Sequence, residues 1–440
     1  MNTDVSKATS ENCTIEIEWL TIICVNVWHL NWSPYNMRKP KAIAVFLSFV
    51  LVSSILLSCH SRYRSTEYSY AIPKQLPDGL PVDAMYNEGM DTGKIVALTK
   101  VILKDSFPNI HSMLICRHGK LIYENYFAGE DEIDGGATVG YVNHTIDDLH
   151  DCRSVSKSFT SACIGVAIKQ GFIKSIDEPI FPYFKEYAKY FDSAKRKITI
   201  RNLLTMTSGL EWDETISYRS SKNTETQMDR SDDPITFILS RKLTSTPGTA
   251  WNYSGASAML LGEIVWKATG ERLDKYAEKN LFAPLGIIKY DWRHMLYKQD
   301  LPAAAWGLRL RSRDLVKFGL LYMNYGKWGD TQILDSAWVK HSLNAEVSRS
   351  TNDITIPPHG YGFQFWTDPL EEHQYKTDVP YAGGNGGQFI YMWRSMDILM
   401  VFTGGNYNHY EARTGPDAAF VNYIMPSVKE MQPYLSKRSE

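Results

Sequence analysis

The sequence has few cysteines, almost no net charge and no recognisable metal-binding pattern. Its six cysteines are scattered through 440 residues without a C-x-x-C pair, which argues against a disulfide scaffold. The formal charge of −2 argues against a nucleic-acid-binding protein. The 11 histidines show no H-E-x-x-H spacing, and we interpret His111, His118 and His150 as structural or surface residues. We therefore expect no metal and no cofactor, while 44% hydrophobic residues indicate a globular domain.

The N-terminal part of the chain resembles an export signal. A basic stretch that begins at Met37 precedes an apolar run over residues 42–58, and this run ends at Cys59. The residues Leu56-Leu57-Ser58-Cys59 resemble a bacterial lipobox, in which the cysteine is lipidated. We predict that 37–59 is a lipoprotein-type signal, that Cys59 carries the lipid, and that the protein is exported to the bacterial envelope. A transmembrane anchor is the alternative.

The segments on either side of this signal are also predicted to lie outside the fold. We interpret residues 1–36 as an N-terminal extension of doubtful translation, with Met37 as the start of the protein. Residues 60–84 are polar and rich in Tyr, Ser and Pro, which suits a tether between the membrane and a domain. The folded chain is then expected to begin near residue 85.

Strand patterns lie at the two ends of the remaining chain, and helical patterns lie between them. The apolar runs Ser112–Cys116 and Leu121–Phe127 predict a β-hairpin, and Gln388–Trp393 with Asp397–Phe402 predicts a second one. Helical periodicity predicts seven further segments: Ser154–Gln170, Ile200–Met206, Asp233–Ser240, Ala256–Thr269, Leu273–Leu281, Arg313–Tyr325 and Ser336–Leu343.

These elements predict an α+β fold in two parts. Residues 85–153 and 300–436 would form an α/β sandwich with one antiparallel sheet, and residues 154–299 would form a mainly helical subdomain. The polar run Glu214–Asp233 between helical segments has no strong period. We interpret it either as a surface loop or as a lid that faces the substrate, since long loops in compact domains are often functional.

Ser154 and Lys157 form the only S-x-x-K spacing in the chain, at the start of a predicted helix. Residues three apart lie on one helix face, so the Lys157 ammonium can reach the Ser154 hydroxyl. Serine needs a neighbouring base to act as a nucleophile, and a partly desolvated lysine with a lowered pKa can be that base. The helix N-terminus would favour an oxyanion. The alternative is an N-cap serine beside a solvated lysine.

Two downstream motifs give this pair a context. Pro247–Gly255 reads P-G-T-A-W-N-Y-S-G before a predicted helix, and Gly383–Phe389 reads G-G-N-G-G-Q-F before a predicted strand. Together the three motifs resemble the serine β-lactamase and penicillin-binding protein family, specifically the class C β-lactamase-like hydrolases and esterases. The resemblance covers about residues 85–430 and implies a β-lactamase/transpeptidase-like fold. It includes further phrases: Arg153–Phe159, Arg201–Leu210, Pro284–Gly286, Trp306–Arg309 and Tyr361–Phe363.

The resemblance implies a role for each motif. Ser154 would be acylated, with Lys157 as its base or proton relay. Tyr253 matches the tyrosine that moves protons to the leaving group and from the deacylating water, although a buried core tyrosine is the alternative. The stretch Asn385-Gly386-Gly387 matches the third motif, on the strand that edges the site. The backbone N–H groups of Gln388 and Ser154 would form the oxyanion hole.

The sequence departs from the β-lactamase pattern at two positions. Gly255 replaces the asparagine of the Tyr-x-Asn motif, and Asn385 stands where the third motif begins with Lys or His. Both missing groups help to hold a β-lactam or a peptide, and the lysine does so through its charge on a carboxylate. The G-x-G-G-Q-F form is similar to that of the 6-aminohexanoate-dimer hydrolases and related esterases.

We therefore predict a serine hydrolase that forms an acyl-enzyme on a small carboxylic ester or amide. One alternative is a β-lactamase or a D-alanyl-D-alanine carboxypeptidase or transpeptidase. Another is a non-catalytic envelope protein that binds cell-wall peptides. The expected partners are the small-molecule substrate and the membrane through a lipid anchor at Cys59, with no nucleic acid.

Overall fold

The computed structural model describes residues 67–133, 137–349, 359–372, 375–409 and 414–435. The predicted extension 1–36, the predicted signal 37–59 and the lipidation residue Cys59 lie outside these ranges. Within the described ranges, every helix is too short or too polar to cross a membrane.

The strands form one large sheet and several small ones. In chain order they are β1 Ile110–Arg117, β2 Lys120–Tyr126, β3 Ala128–Ile133, β4 Ala137–Asn143, β5 His150–Asp151, β6 Tyr290–Trp292, β7 His294–Met295, β8 Lys298–Pro302, β9 Leu308–Leu310, β10 Lys327–Trp328, β11 Thr331–Gln332, β12 Val347–Arg349, β13 His359–Tyr361, β14 Trp366–Glu372, β15 Tyr375–Gly384, β16 Gln388–Trp393 and β17 Ile398–Gly404. The large sheet has eight strands in the order β12-β13-β14-β15-β16-β17-β1-β2.

Every neighbouring pair in the large sheet is antiparallel. The two predicted hairpins correspond to β1–β2 and β16–β17. Strand β1 pairs directly with β17, with Ile110 opposite Gly404 and Arg117 opposite Ile398. The prediction of one antiparallel sheet assembled from both ends of the domain is therefore confirmed.

Each of the seven predicted helical segments corresponds to a helix in the structure, with ends that differ by a few residues at most. In chain order the helices are α1 Thr92–Leu103, α2 Ser156–Lys169, α3 Ile200–Leu204, α4 Thr224–Asp229, α5 Pro234–Leu239, α6 Gly255–Thr269, α7 Leu273–Ala277, α8 Ser312–Met323, α9 Ser336–Leu343, α10 Thr414–Ala419, α11 Met425–Ser427 and α12 Gln432–Leu435. Helix α2 ends as predicted before a glycine, Gly171, whose φ of 81° is the left-handed conformation that glycine adopts without strain. Helix α1, helix α4 within the polar run and the three C-terminal helices were not predicted.

The large sheet separates two hydrophobic cores because successive side chains of a strand point to opposite faces. On β1, Leu114 packs into the core that contains the inner residues of α2, α6 and α8. Its neighbours Met113 and Ile115 pack into the other core, with α1 and the C-terminal helices. The strands near α2 are thus covered on both faces, which fixes the position of that helix against the sheet.

The described part of the predicted tether lies against the domain. Leu80 is fully buried, and Val82 forms a β-bridge to strand β2. The Arg313 guanidinium donates a hydrogen bond to the Lys74 carbonyl at 2.7 Å. Polar composition suggested a free linker over these residues, whereas buried apolar side chains hold the segment 72–84 on the folded unit.

Candidate active site

The start of helix α2 brings Ser154 and Lys157 together. A 3₁₀ turn over Arg153–Val155 leads directly into the helix, so Lys157 lies one turn after the serine on the same face. Lys157 Nζ donates to Ser154 Oγ at 3.0 Å and to the Ala305 carbonyl at 3.0 Å. Lys157 is 1% exposed, so the structure excludes the alternative of a solvated lysine.

Tyr253 completes a triad with these two residues. Lys157 Nζ lies 5.0 Å from the centre of the Tyr253 ring, and Ser154 and Lys157 both lie close enough to Tyr253 to affect its pKa. The ring also stacks on Trp366 at a centroid distance of 5.1 Å. Because Tyr253 lines a cavity next to the serine, its place differs from that of an ordinary core tyrosine.

The electrostatics of this triad differ from the sequence expectation of a lysine with a lowered pKa. Burial acts to lower the pKa of Lys157, but the opposing effect of Tyr253, Glu225 and Glu214 raises it above its usual range. Burial raises the pKa of Tyr253, and the positive charge of Lys157 partly offsets this increase. Lys157 is therefore protonated near neutral pH, and Tyr253 can accept the serine proton only as its phenolate, which burial disfavours and the Lys157 charge favours.

Two carboxyl groups that were not predicted as site residues lie behind the triad. Glu214 accepts hydrogen bonds from Trp212 Nε1 at 2.5 Å, from Tyr218 OH at 3.0 Å and from the backbone N–H of Gly255. Glu225 is 2% exposed. Burial raises its pKa well above the usual range, and the negative charge of Glu214 raises it further. Burial and this neighbouring charge therefore both favour the neutral form of the Glu225 carboxyl.

Glu225 fills the space beside Gly255, where the family motif has asparagine. A Cβ atom on Gly255 would lie 2.5 Å from Glu225 Oε1 and 2.6 Å from Glu225 Cδ, well inside van der Waals contact. Both acidic residues come from the run Glu214–Asp233, which also contains helix α4 and contributes to both cavities. The interpretation of this run as a segment that faces the substrate therefore agrees with the structure better than the simple surface loop.

This packing predicts a specific pair of stability effects. We expect Gly255→Asn, which restores the family residue, to lower the free energy of unfolding by about 1–3 kcal/mol, because the new side chain competes with the Glu225 carboxyl for space. The double variant Gly255→Asn/Glu225→Ala should regain most of this loss. Urea unfolding of the wild type and both variants measures the effect. Equal stabilities for the single and double variants would contradict the assignment.

The third motif lies at the end of strand β15, next to the nucleophile. A Cβ on Gly384 would lie 3.2 Å from the backbone nitrogen of Ser154 and 2.6 Å from the Cys152 carbonyl oxygen, so only glycine allows the strand to pack this closely. Asn385 follows directly and lines both cavities beside Ser154. Its side chain exchanges hydrogen bonds with Asn408, at 2.8 Å and 3.3 Å, and so holds the neighbouring loop.

Gly386 and Gly387 form the turn that follows, with φ angles of 97° and 100°. These left-handed values favour glycine, which explains the glycine pair at this point of the motif. The turn leads into β16 at Gln388.

Gln388 does not reach the cavities. It is 1% exposed, and its side chain bonds to the backbone of Gly404 on the next strand, with Gly404 N donating to Oε1 at 3.1 Å. In the sheet it pairs with Gly384. The residues of the third motif beside Ser154 are therefore Gly384 and Asn385, while the oxyanion role of the backbone N–H of Gln388 stays a prediction.

Two cavities meet at Ser154. The first has a volume of about 520 Å³, and Glu225 and Tyr218 form part of its wall. The second has a volume of about 310 Å³, and its wall includes the aromatic side chains of Tyr253, Trp366, Tyr381 and Phe389 beside glycines and polar residues. Both volumes are in the range of small-molecule sites. The arrangement can place a carbonyl carbon at Ser154 Oγ with one substituent in each cavity.

Sequence comparison finds relatives whose names belong to the class of proteins that the three motifs resemble. Beta-lactamase-like protein 2 of Dictyostelium discoideum is 21% identical over 393 residues, which cover 84% of this chain and 66% of that protein. An Escherichia coli K12 protein, whose name proposes a D-alanyl-D-alanine carboxypeptidase, is 26% identical over 186 residues, which cover 41% of this chain and 42% of that protein. The chain thus spans less than two thirds of the length of either relative.

Comparison with solved structures supports the same fold. A Bacillus anthracis protein, described as a proposed 6-aminohexanoate-dimer hydrolase, has a TM-score of 0.59 and 20% identity, with 72% of this chain and 80% of that chain covered. The predicted α+β, β-lactamase/transpeptidase-like fold is therefore confirmed. The family model described as Beta-lactamase matches residues 106–420, well over half of the sequence and a range that contains all three motifs. The chain belongs to the β-lactamase family.

Proposed function

We propose that this chain is a serine hydrolase that cleaves a small carboxylic ester or amide through an acyl-enzyme on Ser154. The observation that carries the proposal is the 3.0 Å contact between Lys157 Nζ and Ser154 Oγ, where two cavities meet and Tyr253 contacts both residues. Membership of the β-lactamase family supports acyl transfer as the type of chemistry.

The triad can carry out acylation as a balanced proton transfer. Ser154 Oγ forms a bond to the substrate carbonyl carbon and gives its proton to the Tyr253 oxygen, which must be deprotonated to accept it. Burial raises the pKa of Tyr253, and the Lys157 ammonium favours the phenolate by partly offsetting that increase. When the tetrahedral intermediate collapses, the bond to the leaving group breaks, and Tyr253 gives its proton to the departing oxygen or nitrogen.

Deacylation follows by the same route in reverse. A water molecule gives a proton to Tyr253 and its oxygen attacks the acyl carbon. The bond to Ser154 Oγ then breaks, and the serine takes the proton back. The backbone N–H of Ser154 lies at the start of the helical turn and can donate to the oxyanion. The second donor is expected from the strand end at Gly384 and Asn385.

We propose that the acyl group of the substrate carries no carboxylate. The second cavity is lined by aromatic side chains and Glu214, and no lysine or arginine occurs among its described lining residues. The third motif also begins with Asn385 where relatives have a cation. An anionic acyl group would meet the repulsion of the Glu214 carboxylate in this cavity, and the ammonium of Lys157 beside it is already engaged with Ser154 and Ala305.

A matched pair of esters tests this preference. We expect kcat/KM for p-nitrophenyl butyrate to exceed that for the mono-p-nitrophenyl ester of succinate, which adds a carboxylate, by at least about 100-fold. Glu214→Gln should lower the ratio of the two kcat/KM values because it removes the negative charge that repels the carboxylate of the succinate ester. Release of p-nitrophenol, corrected for spontaneous hydrolysis, measures each rate. Equal rates for the two esters would overturn the proposed preference while leaving the hydrolase itself in place.

A β-lactamase or a D-alanyl-D-alanine carboxypeptidase is the second candidate function. The name of the Escherichia coli relative favours it. Nitrocefin and a D-alanyl-D-alanine peptide belong in the same assay, and turnover of either one faster than the neutral ester would promote this candidate.

We also propose that the protein is exported and held at the membrane by a lipid on Cys59. This proposal is supported by the basic stretch, the apolar run and the lipobox-like residues over 37–59.

A further inference from the structure

Three histidines and one aspartate converge at a point that the catalytic triad does not use. They are His111 on β1, Asp131 on β3, His144 just after β4 and His150 on β5. One ligand atom from each residue lies within 4.8 Å of those of the other three. No ligand spacing in the sequence points to this set, because its members come from four separate elements.

The four groups already have the contacts of a coordination cluster. His111 Nδ1 and His150 Nε2 lie 2.8 Å apart, and the rings of His111 and His144 stack at a centroid distance of 4.0 Å. Asp131 Oδ1 lies 4.0 Å from His111 Nδ1. His111 is fully buried and His150 is 5% exposed, so water has little access to compete for these atoms.

The glycines around His111 leave a slot for its ring. A Cβ on Gly129 would lie 2.6 Å from His111 Nε2, and a Cβ on Gly405 would lie 2.6 Å from His111 Cε1. Glycine at both positions is therefore required to place this ring between β3 and the end of β17. The position of a buried imidazole that needs two glycines beside it is more tightly constrained than that of an ordinary core side chain.

The hydrogen bonds around the cluster suit a metal ligand set. His150 Nδ1 lies 3.2 Å from the Asp151 carbonyl, and donation of its N–H there leaves Nε2 as the lone pair that faces the cluster. His144 Nε2 is buried without a hydrogen bond within the described part of the chain. Asp131 adds one negative charge.

We propose that His111, Asp131, His144 and His150 bind a divalent transition-metal ion, with Zn²⁺ as the best match. Three imidazoles and one carboxylate are zinc ligands, and four protein ligands make a closed, structural site. Tetrahedral coordination with bonds of about 2.0–2.1 Å places ligand atoms about 3.3 Å apart, so shifts of about 1 Å convert the observed cluster into a coordination shell. When the metal binds His111 Nδ1, the proton that lies between His111 and His150 moves to His111 Nε2, so that His111 stays a neutral imidazole.

The metal would fix the position of the chain segments next to Ser154. Tyr407 OH donates to Asp131 at 3.1 Å, and the Arg153 guanidinium lies 4.3 Å from the centre of the Tyr407 ring. Arg153 directly precedes Ser154. A metal on Asp131 and His150 would therefore hold the β3–β4 hairpin and the segment that leads to the serine.

Metal analysis of the full-length, untagged protein tests the proposal. After incubation with Zn²⁺ and dialysis, we expect about one zinc per chain by elemental mass spectrometry, and a chelator should lower the melting temperature by at least about 3 °C. His144→Gln should lose both the zinc and the response to the chelator. His118→Gln, at a half-exposed histidine outside the cluster, should keep both.

Two further measurements test zinc binding if His144→Gln folds poorly. Asp131→Asn removes the charged ligand and should weaken zinc binding by more than about 10-fold. Co²⁺ in place of Zn²⁺ should give the intense visible absorption of a tetrahedral site in the wild type. Wild-type protein that binds less than a tenth of an equivalent of zinc and melts at the same temperature with and without chelator would overturn the proposal, whatever the hydrolase activity.

Discussion

Ser154→Ala is expected to lower kcat/KM for a neutral p-nitrophenyl ester by about 10⁴-fold or more, because the substitution removes the only atom that can form the acyl-enzyme in this mechanism. The Lys157 ammonium and the cavity walls remain, so substrate binding should change little. A fluorophosphonate probe followed by mass spectrometry should place an adduct on Ser154 in the wild type and none in the variant.

Ser106→Ala is the matched control for this experiment. Ser106 is exposed in the turn after helix α1 and is not among the residues that line the two cavities. The control should keep its labelling and its rate within about twofold, as expected for a surface substitution. An unchanged esterase rate in Ser154→Ala, or labelling of another serine in the wild type, would refute the proposed nucleophile.

Lys157→Met is expected to lower kcat by about 10³-fold with a smaller change in KM, since the ammonium acts on groups that change charge during the reaction. The variant loses the donor to Ser154 Oγ and the positive charge that holds down the pKa of Tyr253. Lys169→Met, near the surface at the end of the same helix, is the matched control.

The pH profile separates this role from simple loss of structure. Tyr253 must be deprotonated to accept the serine proton, so kcat/KM should rise with pH towards the pKa of Tyr253. Removal of the Lys157 charge raises that pKa, and the rising limb should move to higher pH in the variant. A profile of unchanged shape, or full activity in Lys157→Met, would favour the alternative of a binding protein in which the triad does not catalyse.

Local patterns carry much of the information about the fold. Helix α9 runs over Ser336–Leu343, which are the residues that periodicity predicts, and both predicted hairpins are present. Strand β14 was not predicted because Trp366–Glu372 has a proline and charged residues without a clear alternation. Its place in the sheet comes from pairing with β15, which is a tertiary property.

The candidate site likewise has a part that the local sequence predicts and a part that depends on tertiary packing. The spacing of Ser154 and Lys157 predicts their contact because one helix turn determines it. The position of Glu225 beside Gly255 depends instead on how two distant segments pack, and no single residue in the polar run indicates it. Which residues of the third motif lie beside the serine also depends on the register of the β15–β16 hairpin, and the motif alone does not determine that register.

The pairing of β1 with β17 has a consequence for how the protein is made. Ser112 and Thr403 hydrogen-bond at 2.7 Å although they are 291 residues apart in sequence. Contacts of such long sequence separation slow folding, because the chain between them must be ordered first. During synthesis, β1 has no partner on that side until the last strand has left the ribosome, and its unpaired edge is exposed to aggregation. Ser154 therefore cannot reach its final surroundings until nearly the whole chain has been synthesised.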